Sequence, residues 1–302
     1  MATYINANSV AFSNNTFENN KNIVNVDLRN TAFVNNRMHS AFYNCTNLQS
    51  VTNINTSVTD MLFTFDGCSS LVNAPIIPNS VTSMDCTFRG CSKLINAPAI
   101  PNSVINMYST FGGCSNLVNA LVIPNSVTDM YGTFDACSKL VSAPNIPNSV
   151  TNMCRTFYRC ANLVNAPVIP NSVTNMSSTF RGCSKLINAP DIPNSVTNMN
   201  GTFNGCSNLT GNIYIHSNQV SNATNCFYNT SLTKNVYIPF TYENNTNTQT
   251  YNSFIAAGYD TAGTINGVYL KNINEIPPSL SYSRDIAKDL IYNSSTGNYD
   301  PV

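Results

Sequence analysis

The chain has 302 residues, of which only 9% are charged, and its formal net charge is zero. A chain this neutral offers no stripe of Lys and Arg to displace counterions, so we expect neither a nucleic-acid partner nor a polybasic membrane anchor. No apolar run approaches the roughly 18 residues that a membrane-spanning helix needs, and we therefore expect no membrane insertion. Hydrophobic residues make up 42% of the chain, which is enough for a substantial core.

The N-terminal segment, MATYINANSVAF, has no basic region and no apolar run. It does not match a secretory signal peptide, which needs both features. Residues 10–37 contain Phe17 and Ile23 at the spacing of the repeat described next, with Asn20 where that repeat has cysteine. We interpret 10–37 as an eroded first coil.

Residues 38–209 repeat with a period of 23 residues. Phenylalanine is followed by cysteine three residues later and by leucine three residues after that, and Ile-Pro-Asn-Ser-Val recurs in most copies. One coil cannot bury its six apolar side chains alone, so we expect like residues to stack in register along a common axis. The mid-array members of this structural ladder include Phe88, Phe111, Phe134, Cys91, Cys114, Cys137, Met107 and Met130.

Two prolines in most coils, together with many Ile, Val and Thr residues, oppose a long helix. We predict short extended segments at Ala-Pro-x-Ile-Pro and at Ser-Val-Thr-Asn-Met, with a turn or a short 3₁₀ piece at Phe-x-x-Cys. The expected fold is mainly β: a right-handed solenoid of about ten 23-residue coils.

The period weakens after Leu209, and Phe227 arrives slightly out of step. We interpret residues 210–240 as eroded C-terminal coils, since terminal coils must cover the open end of the core. The predicted solenoid therefore spans 1–240, and residues 241–302 form a small cap and tail. Within the tail we predict a short helix around Arg284–Ile291.

The repeat unit at residues 87–107 resembles the bacterial surface-antigen (BspA-like) leucine-rich repeats, which share the Ile-Pro-x-Ser-Val-Thr and Phe-x-x-Cys-x-x-Leu elements on this period. The resemblance covers about residues 10–240. Relative to the commonest form, one residue is inserted before Ile-Pro and one is missing between Met and Phe. The family implies a leucine-rich-repeat solenoid used for adhesion or recognition on bacteria and protozoa, and it also occurs in phage proteins.

Eight of the eleven cysteines lie on the period, without the close pairs of metal sites. Parallel in-register cysteines suit disulfide geometry poorly, so we expect buried thiols acting as small hydrophobes, and neither metal nor cofactor. Cys86 and Cys154 lie off this column, and we expect them to be more exposed.

The residues that follow each repeating Phe and Met vary from coil to coil, and each set forms a surface column. Aromatic residues beside arginine are typical of interface anchors, and tyrosine also binds sugars. The alternative is a solvated face whose sequence drifts, in which Asp66 and Arg89 form only a cross-coil charge pair. The asparagine column that begins at Asn79 is interpreted as turn residues that hydrogen-bond along the axis. The candidate binding residues are Tyr108, Tyr131, Arg155, Asp85, Tyr158 and Arg181.

We therefore expect a non-catalytic recognition or adhesion protein that binds a cell-surface protein or glycan and lies outside the cell or on a virion. A structural virion component, contacting neighbouring virion proteins, is the alternative. A glycan-active enzyme is the weakest hypothesis, because the two histidines, His39 and His216, are far apart and no nucleophile motif occurs.

Overall fold

The computed structural model describes residues 4–6, 11–29, 31–119, 121–230, 234–239, 248–259, 268–273, 290–293 and 298–301. In these residues the repeating side chains stack as predicted. From Phe42 to Phe203, rings of successive coils lie 5.4–5.9 Å apart between centroids, with planes within 16° of parallel. The ladder phenylalanines, cysteines and methionines are 0% exposed. The array is a solenoid with short strands and few helices.

Regular strands lie at the two ends of the described array. The strands are β1 Tyr4–Asn6, β2 Ala11–Phe12, β3 Asn25–Asp27, β4 Ala32–Phe33, β5 Ser50–Thr52, β6 Ile213–Tyr214, β7 Lys234–Ile238, β8 Val268–Asn272, β9 Leu290–Asn293 and β10 Asn298–Pro301. Near the N-terminus, β1 pairs with β3 and β3 with β5, and β2 pairs with β4, all in parallel. Towards the C-terminus, β6, β7 and β8 form a parallel sheet, and β9 pairs with β10 antiparallel. The helices are a 3₁₀ turn at Val34–Asn36 and α1 at Gln249–Ala256.

In the middle of the array, the predicted extended segments are reduced to single-residue parallel bridges. One row of bridges joins the residue before each methionine, as in Asn106 to Asp129 and Asp129 to Asn152. A second row lies just before Ala-Pro, as in Asn73 to Asn96. Proline has no N–H to donate to a ladder, so the Ala-Pro-x-Ile-Pro segment does not extend into a strand.

The backbone hydrogen bonds alternate between neighbouring coils and local turns. In the coil that begins at Met61, the N–H groups of Met61, Phe63, Phe65 and Gly67 donate to carbonyls 22 residues further on, at 2.7–3.2 Å. Of the N–H groups between them, those of Thr64 and Asp66 donate to carbonyls three residues earlier, which closes turns within the coil, and that of Leu62 donates to Oδ1 of Asp60. Every backbone donor of this compact stretch is thereby satisfied without a continuous strand.

Three rows of side chains also bind the preceding coil. The Thr133 hydroxyl donates to the carbonyl oxygen of Met107 at 2.9 Å, and the Cys137 thiol donates to that of Phe111 at 3.1 Å. Serines of the Asn-Ser-Val element do the same, with the hydroxyl 2.5–2.6 Å from a valine carbonyl 22 residues earlier. The ladder cysteines are buried as expected, and they are hydrogen-bond donors as well as small hydrophobes.

The late Phe227 belongs to the core column, because it stacks on Phe203 at 5.7 Å with planes 3° apart. Phe254, which is buried on α1, stacks in turn on Phe227 at 6.0 Å. Most of the helix predicted around Arg284–Ile291 lies outside the described residues. Its last two positions, Leu290 and Ile291, belong to β9, so a helix is wrong there. The predicted boundaries at 37, 209 and 240 remain predictions.

We predict that Phe134→Ala lowers the free energy of unfolding by about 3–5 kcal/mol, because it leaves a cavity between two stacked rings. Denaturant unfolding followed by circular dichroism measures this loss. The matched control is Val122→Ala, since Val122 is 87% exposed and its truncation changes stability by less than about 0.5 kcal/mol. Equal effects of the two variants would contradict the assignment of the core.

We predict that Thr133→Val destabilises the protein by about 1 kcal/mol, because it keeps the side-chain shape and removes the bond to Met107. Thr128→Val, which makes the same change at an exposed threonine, serves as the control. Equal melting temperatures of Thr133→Val and Thr128→Val would show that the buried hydroxyl row contributes no stability.

Candidate functional site

Two of the predicted binding residues form an aromatic pair on the surface. The rings of Tyr108 and Tyr131, on adjacent coils, lie 4.7 Å apart between centroids with planes only 3° from parallel. The pair follows from the period, which places the residue after each methionine in the same orientation one coil further on. Tyr108 is 40% exposed, so the pair forms part of the surface.

Next to this pair, an arginine cluster surrounds Tyr158. The guanidinium carbon of Arg155 lies 4.1 Å from the centre of the Tyr158 ring, that of Arg159 lies at 5.0 Å and that of Arg181 at 5.8 Å. Arg155 also pairs with Asp135 of the preceding coil at 2.8 Å. The structure therefore brings Arg155, Tyr158 and Arg181 together. We call Arg155, Tyr158, Arg159 and Arg181 the Tyr158 cluster.

Sequence reasoning missed Arg159, which is the second residue after a repeating phenylalanine. That position has a positive φ in every regular coil from Asn44 to Gly205, and most coils place glycine there. Arg159 has a φ of 58° and Arg155, at the second residue after a methionine, has a φ of 57°. A long side chain in this left-handed region is uncommon. The signal in the sequence was the interruption of a glycine column by arginine.

A second arginine of the same face is compensated by a carboxylate. Arg89 pairs with Asp66 one coil earlier, with Nη2 2.5 Å from Oδ2, and this confirms the predicted cross-coil charge pair. Its guanidinium also lies 5.5 Å from the centre of the Phe63 ring. Asp66 is only 5% exposed, so this pair is part of the scaffold.

Asp85 lies beside the tyrosine pair and is half-buried. Its Oδ2 accepts a hydrogen bond from Nδ2 of Asn106 at 3.1 Å. Burial raises the pKa of the Asp85 carboxyl to about 6, and the negative charges of Asp129 and Asp60 act in the same direction. Asp85 therefore carries a titratable charge close to neutral pH at the edge of the candidate face.

All eleven cysteines are free thiols. Burial raises the pKa of Cys137 and Cys160, in the middle of the column, well above the ordinary value. The prediction that Cys86 is more exposed is wrong, because it is only 2% exposed and the Arg89 side chain lies close enough to influence its pKa. Cys154 is half-buried, and burial raises its pKa as well.

The asparagine column that begins at Asn79 does not hydrogen-bond along the axis as predicted. These side chains are exposed, and within the described residues they make no hydrogen bond to a neighbouring coil. The serine that follows each asparagine makes the cross-coil bond instead, as Ser103 does to Val81. The serine hydroxyl is bonded directly to Cβ and therefore stays close to the core. The side-chain amide of the neighbouring asparagine faces solvent.

In the part of the chain that the structure describes, no group of three or more His, Cys, Asp or Glu residues is arranged to hold a metal ion. None of the described helices has the length and apolar character needed to cross a membrane. A groove of about 560 Å³ lies away from the tyrosines, between Val51, Ile54 and Ile76.

The chain matches a known repeat family over most of its length. The model of the family described as "BspA type Leucine rich repeat region (6 copies)" matches residues 3–118, 54–163 and 131–255. A leucine-rich-repeat protein from Bacteroides ovatus aligns with a TM-score of 0.63 and 23% identity over 87% of this chain and 64% of that one, which supports the fold. This chain thus spans less than two thirds of that neighbour. A T. pallidum leucine-rich-repeat protein aligns with a TM-score of 0.44 and 29% identity, over 55% of this chain and 72% of that chain. No curated protein matches significantly.

We predict that Cys154 is the first thiol to be alkylated in the folded protein, because the ladder thiols are fully buried and Cys154 is only half-buried. Brief treatment with iodoacetamide at pH 8, followed by peptide mass spectrometry, identifies the site. Cys154→Ser, which introduces the residue found at 177 in the same column, removes the fast label. Fast labelling of Cys114 or Cys137 would contradict the stacked core.

We predict that Asp85 makes the protein less stable as the pH rises through about 6. Its pKa is higher in the folded chain than the ordinary value of 3.8, so the folded state binds the proton more tightly. The free energy of unfolding therefore falls between about pH 4 and pH 7. Asp85→Asn removes this fall and stabilises the protein at pH 7 by about 1 kcal/mol, a figure reduced for solvent screening. Identical pH profiles of the two proteins in denaturant unfolding would contradict this.

Proposed function

Because the chain belongs to the BspA-type leucine-rich-repeat family, we propose that it is a non-catalytic recognition protein that binds a protein or glycan on a cell surface. Its contact face is the surface around the tyrosine pair and the Tyr158 cluster. We also propose that it acts outside the cell, where such a partner is accessible.

The observation that carries this proposal is the continuity of the face. The stacked pair Tyr108–Tyr131 and the ion pair Arg155–Asp135 lie on consecutive coils, and Arg155 in turn covers Tyr158. Tyrosine and arginine are enriched among residues that contribute most of the binding energy at interfaces. Because the scaffold beneath them is fully packed, these side chains are held in place before a partner arrives, which lowers the entropic cost of binding.

An enzyme is the less favoured hypothesis because the face lacks a complete catalytic set. A nucleophile needs a base within hydrogen-bonding reach, and the half-buried thiol of Cys154 has a raised pKa, which makes it a poor nucleophile. The virion hypothesis draws no support from a specific contact or relative, so it stays a prediction of the sequence.

The test is an array of glycans and cell-surface proteins probed with the labelled wild-type chain and with Tyr131→Ser. Serine occurs at 177 in the same column, so the variant is expected to keep the wild-type melting temperature. We expect a ligand whose binding weakens about tenfold or more in Tyr131→Ser, because a central aromatic anchor is lost.

The matched control is Lys93→Asn, which introduces the residue found at 116 in its own column, away from the tyrosines. It is expected to bind as the wild type does. A ligand that binds wild type and Tyr131→Ser equally would place the contact face elsewhere. Hydrolysis of an arrayed glycan at ordinary enzyme concentrations would show that the protein is an enzyme and would contradict the proposed non-catalytic function.

A further inference from the structure

The Tyr158 cluster holds more positive charge than its surroundings neutralise. Three of the seven arginines in the chain have their guanidinium carbons within 5.8 Å of one tyrosine ring. Within the described residues, Arg155 pairs with Asp135, while Arg159 and Arg181 make no ion pair. Arg89 on the same face has its own carboxylate, so an uncompensated charge is not a general property of this surface.

The backbone beneath the cluster is unfavourable for these residues. Arg155 and Arg159 both have a positive φ, whereas Gly182 and Gly205 occupy the position of Arg159 in the next two coils. The aliphatic stem of Arg159 packs on Gly182, with its Cγ 3.3 Å from where a Cβ would lie. Residues kept in sparsely populated conformations often cluster at ligand sites. Folding alone does not require arginine here, because glycine fits the same turn without this cost.

The chemistry of the cluster selects an anion. Guanidinium groups present planar pairs of N–H donors that match the oxygens of a carboxylate or a sulfate. One face of Tyr158 is already covered by Arg155 at 4.1 Å, which opposes stacking of a neutral sugar on that face. Asp135 neutralises only Arg155. An anion placed between Arg159 and Arg181 would neutralise the remaining positive charge of the cluster.

The neighbouring side chains indicate that the molecule bearing this anion is rich in hydroxyl groups. Ser177, Ser178, Asn200 and Asn204 lie on the next two coils in the same columns, and all four are partly exposed. The strongly exposed aliphatic side chains that a peptide would use as anchor points lie elsewhere, before Ile-Pro, at Ile76, Val122 and Val168. A linear polymer can follow the polar columns from coil to coil.

We propose that the Tyr158 cluster binds a carboxylate or sulfate group of an acidic polysaccharide. This rests on the proposed recognition function and names the ligand class of that face. Arg159 and Arg181 donate hydrogen bonds to the anion, Arg155 is fixed by Asp135, and the serine and asparagine columns contact the sugar hydroxyls.

The experiment measures binding of the whole chain to four immobilised polymers at low and high salt: heparin, polygalacturonate, dextran and poly-L-glutamate. Heparin carries sulfate and carboxylate groups and polygalacturonate carries carboxylates only, so the two separate the anion sources. We expect binding to at least one of them, none to dextran, and loss of affinity as salt screens the charges.

Two substitutions that the repeat itself suggests remove the site. Arg159→Gly introduces the glycine found at 182, and Arg181→Asn introduces the asparagine found at 204. We expect each to weaken polysaccharide binding by about tenfold. The melting temperature of Arg159→Gly should equal or exceed that of the wild type, because the left-handed turn loses its side-chain strain. Arg89→Gln, which removes the same charge where Asp66 already compensates it, should bind as the wild type does. Its melting temperature is measured in parallel, and binding is compared below it, because the buried Asp66 loses its partner.

Three outcomes would overturn the proposal. Equal losses in Arg89→Gln and Arg159→Gly would show a general charge effect, and binding to poly-L-glutamate alone would point to an acidic peptide. If the protein binds none of the polysaccharides but binds an array ligand in a way that depends on Tyr131, the proposed anion site is wrong and the proposed recognition face is retained. Absence of any array ligand would instead contradict the proposed function itself.

Discussion

Hydrogen bonding between successive coils is the constraint on which the rest of this structure depends. Alternate N–H groups of one coil donate to carbonyls of the next, while those between them close local turns. A coil satisfies its own backbone only if its neighbour presents carbonyls at matching positions, so coil shape is copied along the chain. The phenylalanine stack then follows, because identical backbones place identical side chains one above another.

The C-terminal part of the array shows that the constraint acts on positions and not on coil length. From Phe203 to Phe227 the interval is one residue longer than the regular period, and the extra residue lies between Ile215 and Val220. The Phe203 N–H still donates to the backbone carbonyl oxygen of the residue before the next stacked phenylalanine, which here is Cys226. An insertion in an outward turn is tolerated because it leaves the bonded positions aligned.

Residue types vary between coils mainly at outward-facing positions, so a binding function specific to this chain is expected to depend on those positions. Inward columns keep one residue type because a change would open a cavity or leave a carbonyl unpaired. Most outward columns change from coil to coil, although the exposed asparagine column that begins at Asn79 does not. In the column of Arg159, most regular coils place glycine at the left-handed position. Arg159 departs from that preference, so its presence is best explained by what it contacts at the surface.

The regularity made the core predictable from the sequence. The burial of Phe134, the stacking of Tyr108 on Tyr131 and the Asp66–Arg89 pair all follow from the period alone. The strand extents did not follow in the same way. In most coils two prolines remove N–H donors from the Ala-Pro-x-Ile-Pro segment, which the sequence pattern predicted to be extended.

Other features depend on side-chain geometry that spacing does not encode. The hydroxyl of Thr133 reaches a carbonyl of the preceding coil, whereas the asparagines expected to do so face solvent. Cys86 is covered although it lies off the cysteine column. Arg159 was missed because the Phe-x-x-Cys stretch that contains it was predicted only as a turn. The charge around Tyr158 comes from two successive coils, and spacing alone does not show that their arginines meet at one ring.

The register of the coils is tested most directly by deleting one of them. Removal of residues 92–114 joins Cys91 to Ser115 and preserves every column, whereas removal of 92–109 joins Cys91 to Thr110 and shifts them. Thermal unfolding followed by circular dichroism compares the two chains. The account predicts one cooperative transition for the first deletion, slightly below the wild-type melting temperature because one coil interface is lost, and loss of cooperative unfolding for the second. Equal stability of the two deletion proteins would contradict stacking in register.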